Sequence, residues 1–455
     1  MSAESAAAPQ EKLPRQIPFI IANETCERFS FYGMRNILTA FLTDQLLVAS
    51  LPDEAARNAE AKSIVHTFIL GVYFFPLLGG FLADRYFGKY KIILWVSIVY
   101  TIGHGLLALF ETNQTGFFAG MFLIALGSGG IKPCVAAMVG DQFDEKNKHL
   151  AKKVFDAFYW SINFGSFFAT LILAKVLKKQ GAQLAFGIPG LLMLVAVVVF
   201  FAGRRRYVLV PPRGKDPHGF LPVLVSMLRG RAATTHPEAA VSAVRSVGRV
   251  LVVFLPVPFF FMIFDQKAST WVIQAKKMAP EVGPFTFEPS QMQVVNPLLV
   301  MLLIPLLTGV VYPLLRRRGR EPSPLAKMTV GIALGGLSFV VAGLIDLPVQ
   351  AGVRLSILWQ LIPYMILTAG EILVSTTGLE FAYSQAPPSM KSTIMSFWNL
   401  TVAAANGVVV LLSKVTLFSG SMLFFYYAGF AFAAAVAMGL IARSYKVEDH
   451  YGARA

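Results

Sequence analysis

The run AFGIPGLLMLVAVVVFFAGRRRYVLVPPRGKDPHG, residues 185–219, decides the fold. Residues 185–203 are almost wholly apolar, close to the 20 or so needed to cross a hydrocarbon core of about 30 Å. The run then meets Arg204, Arg205 and Arg206 and turns polar. An apolar span that stops at an arginine cluster marks the cytoplasmic edge of a bilayer, because loops on that side carry an excess of Lys and Arg. Segments of the same kind run near 17–44, 63–83, 91–110, 116–139 and 154–177 before it. After it they run near 250–273, 293–315, 326–346, 355–384, 391–413 and 421–443. The stretch 204–249 between the two sets has no apolar run long enough to span, although Phe220–Leu228 suits a short helix at the interface.

The composition excludes the alternatives. Of 455 residues, 55% are of the AVILMFWYC set and only 14% are charged, with a mean hydropathy of +0.61. A soluble domain is about 25% charged, so this chain cannot cover a water-facing surface, and it is no better suited to disorder, a coiled coil or collagen. The net charge of +15 raises nucleic acid as a partner. With both termini placed in the cytoplasm, however, twenty-seven of the 40 Lys and Arg fall on that side. They cluster at Arg85/Lys89/Lys91, at Lys146/Lys148/Lys152/Lys153, from Arg204 to Arg249 and from Arg316 to Lys327. The basic charge is topological, and nucleic acid drops out. Cys26 and Cys134 lack disulfide or metal-ligand spacing, and the polar start up to Arg15 lacks a signal-peptide pattern.

The expected architecture is an all-α membrane protein of 12 transmembrane helices in two six-helix bundles, with no extra helix pair between them. Its parts are a cytoplasmic tail (1–16), an N-terminal bundle (17–203), a cytoplasmic linker (204–249), a C-terminal bundle (250–443) and a second cytoplasmic tail (444–455). Many secondary transporters share this layout, with a substrate site near the midplane between the halves.

Charges inside the spans carry the functional signal, since each costs at least about 2.5–3.5 kcal/mol at the bilayer centre. The first span reads NETCERFSFYGMR (23–35). At 100° per residue, Glu24, Glu27, Arg28, Phe31, Tyr32 and Arg35 share one face within about 140°. Two acids and two arginines on one helix are either structural ion-pair glue or a proton-exchanging set. His66 opens the second span, with Tyr73 two turns on along the same face; it is either an interfacial histidine or a proton carrier. Lys132 follows the glycine-rich run GSGGIKP, and Asp265 and Lys267 lie in FDQKAST. Glu371 and Glu380 lie in the tenth span, while Asn163, Asn296 and Trp398 interrupt other apolar runs as helix-packing, anchoring or ligand residues. If Arg35 and Lys132 line one cavity with Glu371, it suits a zwitterion with separated carboxylate and ammonium groups. The opposite charges could equally be each other's partners.

Four stretches resemble the proton-dependent oligopeptide transporters of the major facilitator superfamily. Glu24-Thr25-Cys26-Glu27-Arg28-Phe29, followed by Tyr32, matches the family's ExxERF motif. GGFLADRYFGK (79–89) matches the loop signature after the second helix, FYWSINFGS (158–166) matches the fifth-helix pattern FYxxINxGS, and GLEFAYSQAP (378–387) is similar to the end of the tenth helix in eukaryotic-type members. The resemblance covers nearly the whole chain and suggests a prokaryotic member with mammalian-like features. It departs at Phe31, where many relatives carry Tyr.

The resemblance implies a symporter that imports di- and tripeptides with protons by alternating access, through a central cavity between the bundles. Glu24, Glu27, Arg28, His66 and Asp265 would handle protons, with Asp265 offered as a partner for Arg35. Tyr32, Arg35, Tyr73, Lys132, Asn163, Asn296, Glu371 and Trp398 would bind the peptide, Glu371 taking its amino terminus. Asp84, Arg85 and Lys89 would latch the inner gate. The expected setting is a bacterial inner membrane with both termini cytoplasmic. Protons, peptides and membrane lipid are the partners, the proton is the coupling ion, and no other cofactor, catalytic residue, metal or obligate protein partner is implied. A different anion, a drug, or a receptor role are the rival readings. A membrane hydrolase lacks support, since no HExxH, GxSxG or Cys/His cluster occurs.

Overall fold

A computed structural model describes residues 13–143, 150–212, 214, 216–320, 322–385, 387–415 and 418–445. Residues 1–12 and 446–455 of the expected tails, together with Lys146 and Lys148 of one basic cluster, lie outside the described residues.

Helix is the dictated answer for this composition, because hydrocarbon offers no partner for a backbone N–H or C=O and a helix satisfies each internally. Among the described residues, ten helices are long and apolar enough to cross a membrane. They become eleven if Glu238–Phe254 and Val257–Ala275, bent by 47°, form one span. Pro256 sits at that bend and has no N–H to carry the ladder through. Twelve spans were expected, and the difference is α1 (Ile17–Phe41). It is long enough to cross, but Glu24, Glu27, Arg28 and Arg35 make it too charged to count by composition.

The chain divides into two compact units, one of residues up to 46 with 74–214, the other of residues 47–73 with 215 onward. Helix α2 (Glu54–Leu82) is therefore split, its first part belonging to the second unit.

In the first unit, α1 packs on α5 (Ala151–Gln180) and α6 (Ala182–Ala202), while α3 (Lys89–Leu109) packs on α4 (Gln114–Gly140) and α6. Polar ties fix α1 in its seat. Ser30 donates to the Pro189 carbonyl at 2.7 Å. Asn36 donates to Thr170 Oγ1 at 2.6 Å, and Thr170 donates onward to the Ser166 carbonyl. The fifth-helix motif supplies Gly165, whose missing side chain lets α5 approach the α1 backbone: a Cβ there would lie 3.1 Å from the Thr25 carbonyl oxygen.

The second unit continues from the linker through α7 (Phe220–Leu228), the short α8 (Ala232–Thr235) and α9 (Glu238–Phe254). The expected interfacial segment is thus a helix over the same residues. The seventh span is not continuous: α10 (Val257–Phe264) gives way to a 3-10 turn at Asp265–Ala268 before α11 (Thr270–Ala275). After a small hairpin pairing Glu281 with Thr286 come α12 (Val295–Leu306), α13 (Tyr312–Arg317) and α14 (Pro324–Gln350). The tenth segment is α15 (Leu361–Glu371), a π-helical turn at Ile372–Thr376 and α16 (Thr377–Gln385). Last come α17 (Lys391–Lys414) and α18 (Ser421–Ser444). Helix α14 packs on α18 and α15, and α10 on α17. The core is aromatic: Trp271, fully buried, meets the Tyr364 ring edge-on at 4.8 Å between centroids.

One glycine contact is decisive for the seating of α4. A Cβ added to Gly79 would lie 2.6 Å from the Gly130 Cα and 2.7 Å from the Gly129 carbonyl oxygen, backbone atoms that cannot swing aside. Gly79→Ala should therefore cost about 1–3 kcal/mol, the usual range for overpacking. The check is a lower midpoint in thermal unfolding of the detergent-solubilised chain.

Two clusters of buried charge as the candidate functional site

The first cluster belongs to the first unit. Arg28 Nε lies 3.0 Å from Glu24 Oε1, and its Nη2 pairs with Glu27 Oε2. These side chains are at most 7% exposed. The i,i+4 spacing of Glu24 and Arg28 puts them one above the other on α1, and Glu27 reaches the same guanidinium from the adjacent position. Arg, with five donors in a planar fork, is suited to holding two carboxylates at once.

Three further residues complete this cluster. Phe31 lies on the same face, with the Arg28 guanidinium 5.7 Å from its ring centroid and Lys132 Nζ 4.5 Å from it. Tyr32 meets the Phe31 ring edge-on at 5.2 Å. Lys132 is half-buried on α4 and near enough to Glu24 to act on it electrostatically. Two carboxylates against one guanidinium leave one negative charge over, and Lys132 is the cation within reach of it. Arg35 and Asn163 are buried in the same unit.

The second cluster belongs to the second unit and has two parts. His66, fully buried, joins Asn406 Oδ1 through Nδ1 at 2.6 Å and Ser269 Oγ through Nε2 at 2.9 Å. The Asn406 amide nitrogen donates to Asp265 Oδ2 at 2.8 Å and to the Val402 carbonyl at 2.9 Å. Those two partners only accept, which fixes which end of the amide is NH2 and leaves its oxygen to accept from His66 Nδ1–H. The proton on Nδ1 leaves Nε2 free to accept from the Ser269 hydroxyl. A second proton at Nε2 needs only that hydroxyl to rotate and become the acceptor. The site thus accommodates both the neutral and the charged imidazole without moving a helix.

In the other part, Lys267 Nζ donates to Asn296 Oδ1 at 2.9 Å, and Asn296 Nδ2 donates to Glu371 Oε2 at 2.6 Å and to Thr368 Oγ1 at 3.1 Å. Lys267 also covers the Phe264 ring at 3.1 Å from its centroid. The 3-10 turn at Asp265–Ala268 carries both residues, Asp265 reaching Asn406 on α17 and Lys267 reaching Asn296 on α12. Trp398 is buried against Phe254 and Phe261. Tyr73 is half-buried at the end of this unit's part of α2.

At the loop after α2, Lys89 Nζ pairs with Asp141 Oδ2 at 2.6 Å, both side chains 20% exposed. Arg85 lies over the Phe81 ring, and Asp84 is exposed. The acid that holds Lys89 is therefore one at the end of α4 that sequence reading passed over, as it did Asn406, Ser269 and the role of Lys267. The only available signal was their position. Asn406 lies two turns beyond Trp398 on α17, and Ser269 lies one helical turn beyond Asp265. Among the described residues no group of three His, Cys, Asp or Glu is arranged to hold a metal.

A family model described as the POT family matches residues 90–229 and 216–420. The chain belongs to the POT family. It is similar to peptide transporter family 1 of Drosophila melanogaster, with 38% identity over 76% of this chain and 49% of that protein. It is also similar to solute carrier family 15 member 2 of Mus musculus, with 36% identity over 85% of this chain and 56% of that protein. The chain thus spans about half the length of the curated relatives it matches. The crystal structure of the POT family transporter PepTSo superposes with a TM-score of 0.91 at 50% identity, covering 97% of this chain and all of that one. An auto-inhibited POT family peptide transporter gives 0.90 at 49% identity over 96% and 98% of the two chains. This POT chain is an integral membrane protein of the major facilitator fold.

Replacing Asn406 by Leu strands the His66 N–H and removes a donor from Asp265. Each stranded buried group costs about 1–3 kcal/mol, so Asn406→Leu should lower the midpoint in thermal unfolding of the detergent-solubilised chain.

Proposed function

We propose that this protein is a proton-coupled symporter that imports di- and tripeptides by alternating access. The observation that carries the reading is the sharing of one guanidinium: Glu24 and Glu27 both pair with Arg28 in a buried setting. The carboxylate charge left over must be met by a cation or cancelled by a proton, because an uncompensated ion there costs several kcal/mol. Lys132 and a proton thus compete for the same carboxylate. When the proton wins, Lys132 is released to take a peptide carboxylate, and binding of peptide in turn favours protonation, since the coupling is reciprocal.

The remaining roles are those the family resemblance implies for these positions. Arg35 joins Lys132 as a cation for the carboxylate of the peptide. Glu371, held by Asn296, takes its ammonium, and Tyr32, Tyr73, Asn163 and Trp398 supply rings and amides for backbone and side chains. His66, with Asp265 behind it, is the second proton carrier. The Lys89–Asp141 pair, with Asp84 and Arg85 nearby, serves the inner latch. The proton is the only coupling ion required, and the membrane potential adds about 2.3 kcal/mol per charge per 100 mV. The reading sets the chain in a bacterial inner membrane, amid lipid, with both termini cytoplasmic, α1 as a twelfth span and the linker at 204–249. Its relatives support the substrate class: those of the fruit fly and mouse are a peptide transporter and a solute carrier, and a related peptide transporter POT of 25% identity has been crystallised with alafosfalin.

The test is uptake of labelled dialanine by proteoliposomes under an inward proton gradient. Glu24→Gln and Glu27→Gln should each abolish gradient-driven accumulation while retaining counterflow. Normal accumulation in both variants rejects the coupling role, and absence of any dialanine uptake by the unaltered protein rejects the substrate class.

A further inference from the structure

One buried ammonium and one buried carboxylate of the second unit face the same cavity, and neither has a partner of opposite charge among the described residues. Lys62 on α2 is 6% exposed, with the Tyr427 ring 5.3 Å from Nζ. Asp346 on α14 is 1% exposed, and its three hydrogen-bond donors are neutral. Gln274 reaches Oδ1 at 3.1 Å; Gln350 and Ser421 reach Oδ2 at 3.0 and 2.8 Å. Gln274 is held in that orientation by Gln360, which donates to its carbonyl oxygen at 3.0 Å. The cavity has a volume of about 960 Å³ and is lined by both ions, within the size range of small-molecule sites.

A buried ion left without a counter-charge is costly, and here two of opposite sign are held in fixed positions around one space. The carboxylate is preorganised by three donors, and the ammonium is held over a ring that stabilises a cation without neutralising it. Its exposed lining residues include Asp53, Ala55, Ser419 and Gly420, which lie at helix ends and in loops. Lys62 stands one turn before His66 on α2.

We propose that this cavity is a second binding site, for a small soluble zwitterion whose carboxylate pairs with Lys62 and whose ammonium meets Asp346. That the zwitterion is a short peptide rests on the transport reading above. The site is separate from the residues assigned there and lies nearer the start of α2, where substrate waits before or after the transport step.

Equilibrium binding of labelled dialanine to the purified full-length chain in detergent tests it. The unaltered protein should bind two equivalents per chain. Lys62→Met should leave one, Lys62→Arg should restore two, and Asp346→Asn, which keeps the acceptor but not the charge, should weaken the second equivalent at least tenfold. Retention of the first equivalent shows that each variant is folded. A single equivalent in the unaltered protein, or two that persist in Lys62→Met and Asp346→Asn, overturns the second site, the two residues then merely balancing each other across water. In that event gradient-driven uptake in proteoliposomes still decides the transport reading on its own.

Discussion

Arg28 is held by two carboxylates of its own helix in a place where an unpaired charge is expensive. A guanidinium stays charged at any physiological pH, so the acids beside it cannot both be discharged without exposing it, and cannot both stay charged without leaving a surplus. That imbalance is the constraint around which the first unit is arranged. Helix α1 must be buried on several sides, and the ties from Ser30 to Pro189 and from Asn36 to Thr170 hold it there. Gly165 lets α5 close over Thr25, and Lys132 on α4 lies near enough to Glu24 to act on it.

The second unit solves the same problem by amides. Asn406 stands between His66 and Asp265, and Asn296 between Lys267 and Glu371. An amide has a donor end and an acceptor end, so it passes the polarity of one ion to the next without itself ionising. Each amide thus fixes which of its two ends faces the ion on either side.

Much of this was legible in the sequence. Apolar length, Pro and Gly placement and the arginine clusters gave the spans, and helical spacing alone put Glu24, Glu27, Arg28 and Phe31 on one face. Local periodicity stops there. The run FDQKAST reads as the end of one span, yet it breaks into a 3-10 turn whose Asp265 and Lys267 take amide partners on α17 and α12. Asn406 lies in TVAAANGVVV, which reads as a small-residue packing seam. Lys62 counts as a loop charge by position and is buried. In each case the meaning of a polar side chain is set by a partner beyond the reach of local periodicity, 29 residues away for Lys267 and Asn296 and 340 for Asn406 and His66, and no spacing rule carries that information.

The π-helical turn at Ile372–Thr376, directly after Glu371, has a consequence for how such chains can vary. A turn of this kind stores one surplus residue in a helix. Losing a residue elsewhere in a span rotates everything beyond it by about 100° and brings the wrong faces together. Losing one here would tighten the turn to ordinary geometry and leave Glu371 and Phe381 on the sides they already occupy. The segment is therefore a place where length can drift between relatives while the chemistry on either side stays in register.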